Sequence, residues 1–241
     1  MNYFLQKKRQ NFIDVTPLFL GLLKKGAFFI SRTEKTRHSN TDGYLKGLKK
    51  NSFVFDLRQV IDDFQRVLRV LYYTHSAHLI LGSKKKFKFT AAKKILFIGA
   101  PNTVQELFIE LCKSKNHFFI SEEDWVKGLL TNNVNTCDYK RDFLKNLKSK
   151  SVKEKQFFYQ KFGGILKLQM LPDLIVIFNH SQSERPLIES KKMNIPIIAI
   201  LPLYSNPFEI DYPIFANFKS SLSSAFFYKS IKKALKVSVW V

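Results

Sequence analysis

Long apolar runs, cysteines, glycines and acidic residues are all scarce in this chain of 241 residues, and each scarcity removes a class of protein. The longest apolar stretch, Ile195–Leu203, falls well short of the roughly 20 residues that a membrane-spanning helix needs. It is also interrupted by Pro196 and Pro202, so no membrane span is expected. Two cysteines, Cys112 and Cys137, supply neither a disulfide framework nor a metal-ligand spacing, and they fit a reducing compartment. Cys112 falls on an apolar helical face and reads as a small core residue. Glycine is too sparse for a phosphate cradle. The turn LFIGAPN stands where dinucleotide-binding folds place a glycine-rich loop, yet it carries Gly99 alone. Without further glycines the backbone cannot approach a pyrophosphate closely, so neither a nucleotide cofactor nor a small-molecule substrate is expected.

The shortage of acid leaves 40 Lys plus Arg against 19 Asp plus Glu, a net charge of +21. Such a balance favours a polyanionic partner, because every phosphate neutralised releases counterions. An AT-rich coding sequence would also inflate Lys and Phe, of which there are 24, without any function attached. The charge is uneven: residues 1–100 hold 20 basic and 6 acidic residues, and residues 101–241 hold 20 and 13. Hydrophobic residues make up 45%, enough for a folded core.

The spacing predicts a short helix over residues 14–25, begun by Asp14 or Thr16 with Pro17 in its first turn and ended by Gly26. Ser31–Lys50 is polar, basic and aperiodic, a long loop with a Thr41–Gly43 turn. A strand is expected at Ser52–Phe55. Asp56 then caps an amphipathic helix with Leu57, Val60, Ile61, Phe64, Val67, Leu68 and Leu71 inward, and Asp62 one turn before Arg66 for local pairing. A basic loop, Ser83–Lys88, precedes a strand at Ile95–Ile98. Next come a helix from about Thr103 to Ser114, a short strand at Phe118–Ile120 and a capping-box-like Ser121–Asp124 at a helix start. Residues 135–162 are highly charged with sparse apolar positions, which suggests two short helices projecting from the core. Gly163-Gly164 marks the return. Continuous apolar strands at Leu174–Phe178 and Ile197–Leu201 suit a parallel sheet buried on both faces. A helix near Ser183–Met193 separates them, and a short strand at Tyr212–Phe215 and a basic helix over 219–237 follow. Strands alternating with helices point to βαβ units in a three-layer α/β sandwich. The expected division is an N-terminal helix-and-loop extension over 1–50, a core domain over 51–134 and 163–241, and a hairpin insertion over 135–162.

No catalytic constellation emerges. The histidines His38, His75, His78, His117 and His180 are scattered. His75 and His78 stand three apart, but no third metal ligand accompanies them. Asp173, Glu184, Glu189, Glu209 and Asp211 read as structural carboxylates, with Asp211 in a Pro-rich turn where Asp caps backbone amides. Trp125 reads as a core anchor, Gly128 as a close-packing position, and Thr131 and Asn132 as capping residues. The basic clusters are the favoured binding residues: Lys24, Lys25, Arg32, Lys35, Arg37, Lys46, Lys49 and Lys50, then Lys84, Lys85, Lys86, Lys88, Lys93 and Lys94. Mixed with Ser, Thr, Asn, His38 and Tyr44, they suit irregular RNA with exposed bases and 2′-hydroxyls.

Two long segments carry a resemblance. The first, HFFISEEDWVKGLLTNN, spans His117–Asn133 and contains Trp125, Gly128, Leu130, Thr131 and Asn132 in a Trp-x-x-Gly-x-Leu-Thr-Asn run. The second spans Leu171–Phe218. It holds Leu171-Pro172-Asp173 before a strand, Asn194-Ile195-Pro196, and Pro207 with Asp211, Tyr212, Ile214 and Asn217. In this order they resemble the bacterial and organellar small-subunit ribosomal protein family numbered two. The similarity covers roughly Leu18 to Ala234. It implies a flavodoxin-like fold with a mostly parallel sheet and a helical hairpin, shortened here. It also implies a structural, non-enzymatic role with small-subunit ribosomal RNA and neighbouring ribosomal proteins as partners. Departures are specific. The family's Gly-x-His-Phe-Gly-His stretch is here Gly26–Ser31 without either histidine. A basic position before the Trp is replaced by Glu122, Glu123 and Asp124, and a glycine by Lys127. With the trimmed hairpin and the Phe- and Lys-rich composition, this divergence suggests a mitochondrial member ahead of a plastid or bacterial one. The N-terminus, MNYFLQKKRQNFIDV, lacks the apolar core of a secretory signal, and its brevity fits synthesis inside the organelle. The competing readings are a nucleotide- or phosphate-dependent α/β enzyme with its site at Gly99–Thr103, and an RNA-binding regulator outside the ribosome.

Overall fold

A computed structural model describes residues 29–31, 39–49, 52–75, 78–81, 87–90, 93–179, 183–216 and 221–236. Five short strands, β6 (Ile95–Ile98), β7 (Phe118–Ile120), β8 (Leu174–Ile177), β9 (Ile197–Leu201) and β10 (Tyr212–Phe215), form a parallel sheet in the order β10-β9-β8-β6-β7. Every residue of β6 to β9 is buried, as uninterrupted apolar runs in a parallel sheet require. From the centre the chain winds one way through helix α2 (Asn102–Lys115) to β7 and the other way through α5 (Glu184–Lys192) to β9. Crossovers of one hand that run in opposite directions place their helices on opposite faces, which gives the three layers.

One face is closed by aromatic packing. Helix α1 (Leu57–His75) meets the C-terminal helix α6 (Ser221–Lys236) through Phe64, whose ring lies edge-on to Phe227 at 4.8 Å and tilted against Phe226 at 5.6 Å. Phe108 of α2 links the sheet to α6, 4.6 Å from Phe178 and 5.1 Å from Tyr228. Asp56 caps α1 as its sequence predicts, accepting the Arg58 N–H at 3.0 Å. The local ion pair on α1 is Asp63–Arg66 at 3.2 Å, in place of the expected Asp62–Arg66.

Both edges of the sheet are covered, which removes the hazard of open strand edges. At β10, Tyr44 packs on Phe215 at 4.3 Å and Phe55 lies at 6.3 Å. At β7, the backbone of Gly163–Ile165 lies directly on the strand. A Cβ on Gly164 would collide with the Phe119 carbonyl oxygen, so the close approach requires glycine.

Several local expectations change. Ser52–Phe55 is a strand, β3, but it joins β1 (Phe29–Ser31) and β2 (Leu45–Lys49) in a separate antiparallel sheet. The expected loop Ser31–Lys50 therefore contains β2 and, before it, a 3-10 helix over Ser39–Tyr44. The sequence LKGLK has little strand character of its own, and its pairing with β3 supplies the conformation, with a bulge between Leu45 and Gly47. Lys88 lies in β5 (Phe87–Thr90), paired with β4 (His78–Leu81), where a basic loop was expected. Ser121–Asp124 is a free-standing turn: the Ser121 hydroxyl accepts the Asp124 N–H at 3.3 Å, but no helix follows. The helix expected over 14–25 lies outside the described residues. Among the described residues no helix is long and apolar enough to cross a membrane.

Candidate functional site

Three constellations surround the sheet. At its amino edge, side chains accept the N–H groups at which strands begin. Asp211 takes the Ile197 N–H at 2.8 Å, Asp173 takes the Lys94 N–H at 2.8 Å, and Nδ1 of His117 takes the Ile95 N–H at 3.3 Å. That last bond places the His117 proton on Nε2, which stands 2.9 Å from Nδ1 of His75 and donates to it. Burial, with His75, Lys94 and Lys115 nearby, lowers the pKa of His117 to about 3, and burial lowers that of His75 too. The pair is neutral. His75 thus partners His117, and the described residues contain no group of ligands that could hold a metal ion.

The second constellation explains the Trp-x-x-Gly run. Glu189 of α5 is only 6% exposed, yet its carboxylate is surrounded by donors. The Trp125 indole N–H donates to Oε1 at 3.2 Å and the Gly128 N–H at 2.8 Å; Oε2 accepts from Leu130 at 2.9 Å and Thr131 at 3.5 Å. Gly128 has φ +86°, so it is present for a left-handed turn that aims these amides inward, and not for close packing. Thr131 and Asn132 are exposed, and Asn132 precedes helix α3 (Asn133–Lys145) without a side-chain capping bond. The role of Glu189 was not legible as chemistry. Its one signal is its place three residues after Pro186, on the buried side of α5.

At the carboxyl edge, where the strand order reverses, Glu122 occupies the ground beside Gly99. A Cβ on Gly99 would collide with its carboxyl group. Asn179 and Ser183 each donate to Glu122 at 3.3 Å. Desolvation raises its pKa to about 7 against those two hydrogen bonds. This crevice is where open α/β sheets bind ligands, and here it contains a carboxyl group wedged against the turn that a phosphate would use.

The favoured basic residues fall differently. Lys46 on β2 and Lys93 are exposed. Lys94 is partly buried; its ammonium donates to the Asn116 carbonyl at 3.4 Å, beside the His75–His117 pair. Lys49 and Lys88 lie on β2 and β5. Lys24, Lys25, Arg32, Lys35, Arg37, Lys50, Lys84, Lys85 and Lys86 lie outside the described residues. Two lysines that the sequence reading passed over have defined places. Lys115 faces the histidine pair. Lys140, only 4% exposed, ties α3 to the core by donating to the carbonyls of Ile165 at 3.2 Å and Leu168 at 2.6 Å.

The chain is similar in sequence to known proteins. The profile of the family described as Ribosomal protein S2 matches residues 22–238. Similar proteins include the small ribosomal subunit protein uS2c of Ostreococcus tauri, 28% identical over 166 residues, covering 62% of this chain and 73% of that protein. The protein uS2 of Dehalococcoides mccartyi is 29% identical over 140 residues, 52% of this chain and 56% of its own length. That of Helicobacter acinonychis is 24% identical over 229 residues, covering 89% and 87%. With a match over nearly its whole length, the chain belongs to the ribosomal protein S2 family.

Proposed function

We propose that this chain is a structural, non-enzymatic component of the small ribosomal subunit, that it binds ribosomal RNA and neighbouring ribosomal proteins, and that it works in mitochondrial translation. The observation that carries the reading is the Glu189 constellation, which gives the Trp125–Thr131 family segment an architectural purpose. The net charge of +21 supplies the attraction to a polyanion. The basic clusters of Ser31–Lys50 and Ser83–Lys94 are the proposed phosphate contacts, with the extension over 1–50, the core over 51–134 and 163–241, and the hairpin over 135–162 as the functional division. Glu122 argues against a nucleotide-dependent enzyme, since a carboxyl group beside Gly99 displaces a phosphate by volume and, when ionised, repels it. The mitochondrial placement rests on divergence and composition; the relatives named above are from a plastid and from bacteria.

Gradient sedimentation of a native organelle lysate, in magnesium and after EDTA, tests the reading. Co-migration with small-subunit RNA in both supports it, and migration as free protein in both rejects it. Mitochondrial against plastid fractionation tests the placement. Replacing Lys84, Lys85 and Lys86 by Glu is expected to reduce incorporation into the subunit; unchanged incorporation would remove that loop from the contact set.

A further inference from the structure

Three elements meet at one corner of the amino edge. Helix α1 finishes at His75, helix α2 finishes at Lys115, and the approach to β6 runs beside both. Backbone hydrogen bonds hold these ends: the Lys93 N–H donates to the Thr74 carbonyl at 3.1 Å, and the His117 N–H to the Cys112 carbonyl at 2.9 Å. Four lysines belong to these ends, Lys93 and Lys94 before β6, and Lys113 and Lys115 in the last turn of α2. None of the four forms an ion pair among the described residues. Asp173 brings a carboxylate to the corner, but that group accepts the Lys94 N–H at 2.8 Å. A cation in the last turn of a helix commonly answers the helix dipole. That accounts for Lys113 and Lys115. It does not account for Lys93 and Lys94, which precede a strand.

The hydrogen bonds also fix where the protons lie. The Ile95 N–H occupies Nδ1 of His117, so Nε2 of His117 carries its hydrogen and donates to Nδ1 of His75. His75 is neutral, and with Nδ1 accepting, its own proton lies on Nε2. That N–H has no acceptor among the described residues. Burial keeps His75 neutral, and the charges of Lys115 and Lys94 act in the same direction, which places both ammonium groups beside it. Lys94 has only the 3.4 Å bond to the Asn116 carbonyl, and the Lys115 ammonium has no hydrogen bond among the described residues. The corner thus presents three donors, two of them charged, with their protons in defined places.

We infer that this corner seats the phosphodiester backbone of ribosomal RNA: the ammonium groups of Lys94 and Lys115 meet phosphate oxygens, and the Nε2–H of His75 donates to one of them. The inference rests on the ribosomal reading above, and it adds Lys115 and His75 to the contacts proposed there around Lys94. Phosphate oxygens only accept, which suits a site that only donates. The lysines supply charge as flexible points, and the imidazole, held by His117, supplies direction. Uncompensated cations from both a strand approach and a helix end suit a chain that repeats its charge.

The experiment measures binding of the purified full chain to a transcript of the small-subunit RNA of the same organelle over a salt series. In Lys94→Gln/Lys115→Gln the slope of log K against log salt should shrink by about 1 for each lysine that meets a phosphate. Lys153→Gln/Lys155→Gln, on helix α4 (Val152–Phe162) of the hairpin, removes the same charge elsewhere and should leave the slope as in the parent. His75→Leu should weaken binding about 3- to 10-fold at an unchanged slope, because the lost donor carries no charge. If that variant does not fold, the lysine pair decides alone. An unchanged slope in the Lys94/Lys115 variant, an equal loss in the hairpin control, or full affinity in a folded His75→Leu chain would overturn the inference. So would a seat for free phosphate, seen as inorganic phosphate displacing the transcript at constant ionic strength. If the parent chain does not bind the transcript at all, the ribosomal reading fails first, and that outcome is separate from the behaviour of the variants.

Discussion

Two glutamates enclosed by this fold, Glu189 and Glu122, have opposite surroundings. Glu189 accepts the Trp125 indole N–H and the backbone N–H groups of Gly128, Leu130 and Thr131, four donors for two oxygens. Glu122 has one amide and one hydroxyl, each at 3.3 Å, and desolvation raises its pKa to about 7. Burial alone therefore does not decide whether a carboxyl group organises its surroundings; the supply of N–H groups does. At Glu189 the loop is built around the acid. At Glu122 the acid fills space left by a loop.

The comparison breaks most severely at Glu189. Glu189→Ala leaves an indole and three amide donors facing a small cavity, and the expected loss of stability is about 3–5 kcal/mol. Glu189→Gln is the sharper variant. Its NH2 group must point at N–H donors whichever way the amide is turned, so it should cost about 2–3 kcal/mol although its shape is nearly unchanged. Urea unfolding of the purified chain measures both. A Gln variant as stable as the parent would mean that Glu189 fills space as Glu122 does, and the contrast would dissolve.

How much of this was legible depends on whether the signal was periodic. The strands Ile95–Ile98, Leu174–Ile177 and Ile197–Leu201 are continuous apolar runs, and the helices Leu57–His75 and Asn102–Lys115 are amphipathic, so the parallel sheet and its inner layers followed from pattern. The strand Leu45–Lys49 did not, because its conformation comes from pairing with Ser52–Phe55. Glu189 read as a structural carboxylate, but its partners were not legible, and neither was the burial of Lys140. The local pattern does not say which distant groups satisfy a charged side chain, and those partners lie 58 to 64 and 25 to 28 residues away. The basic clusters were legible as composition, whereas the partner that Lys94 finds, the Asn116 carbonyl, was not.

The histidine pair is a neutral counterpart to the two acids. His117 is buried, and its pKa is lowered from 6.5 to about 3. The unfolded chain therefore takes up a proton that the folded chain refuses between these values. Stability is fully present above pH 6.5 and is lost as pH falls toward 3, by up to about 2–3 kcal/mol. His117→Asn should flatten that slope in a pH series of unfolding midpoints. If the slope persists in the variant, another group is responsible for it.

Gly164 tests the edge and not the acids. A Cβ there meets the Phe119 carbonyl, which is backbone and cannot swing aside, so Gly164→Ala should cost about 1–3 kcal/mol. Hydrogen exchange should show the loss first at the amides of Phe118–Ile120. Equal protection in the variant would mean that the turn simply lifts from the strand.

The smallest effect is also the one with the opposite sign. Glu122 has a folded pKa of about 7 against an ordinary value near 4.5, so the folded chain holds its proton more tightly than the unfolded chain. Its contribution is most favourable below pH 4.5, declines as pH rises to 7, and is constant above that. Glu122→Gln keeps the shape and removes the ionisation. It should leave stability unchanged at pH 4 and raise it at pH 8 by about 1–2 kcal/mol, a figure discounted for the partial solvent access of the group. Between pH 4.5 and 6.5 the Glu122 and His117 slopes oppose each other, so the parent protein should show a flatter profile there than either single variant. A Gln variant less stable than the parent at pH 8 would show that the ionised carboxylate is bound by donors after all. Glu122 would then belong with Glu189, as an acid around which its loops are built.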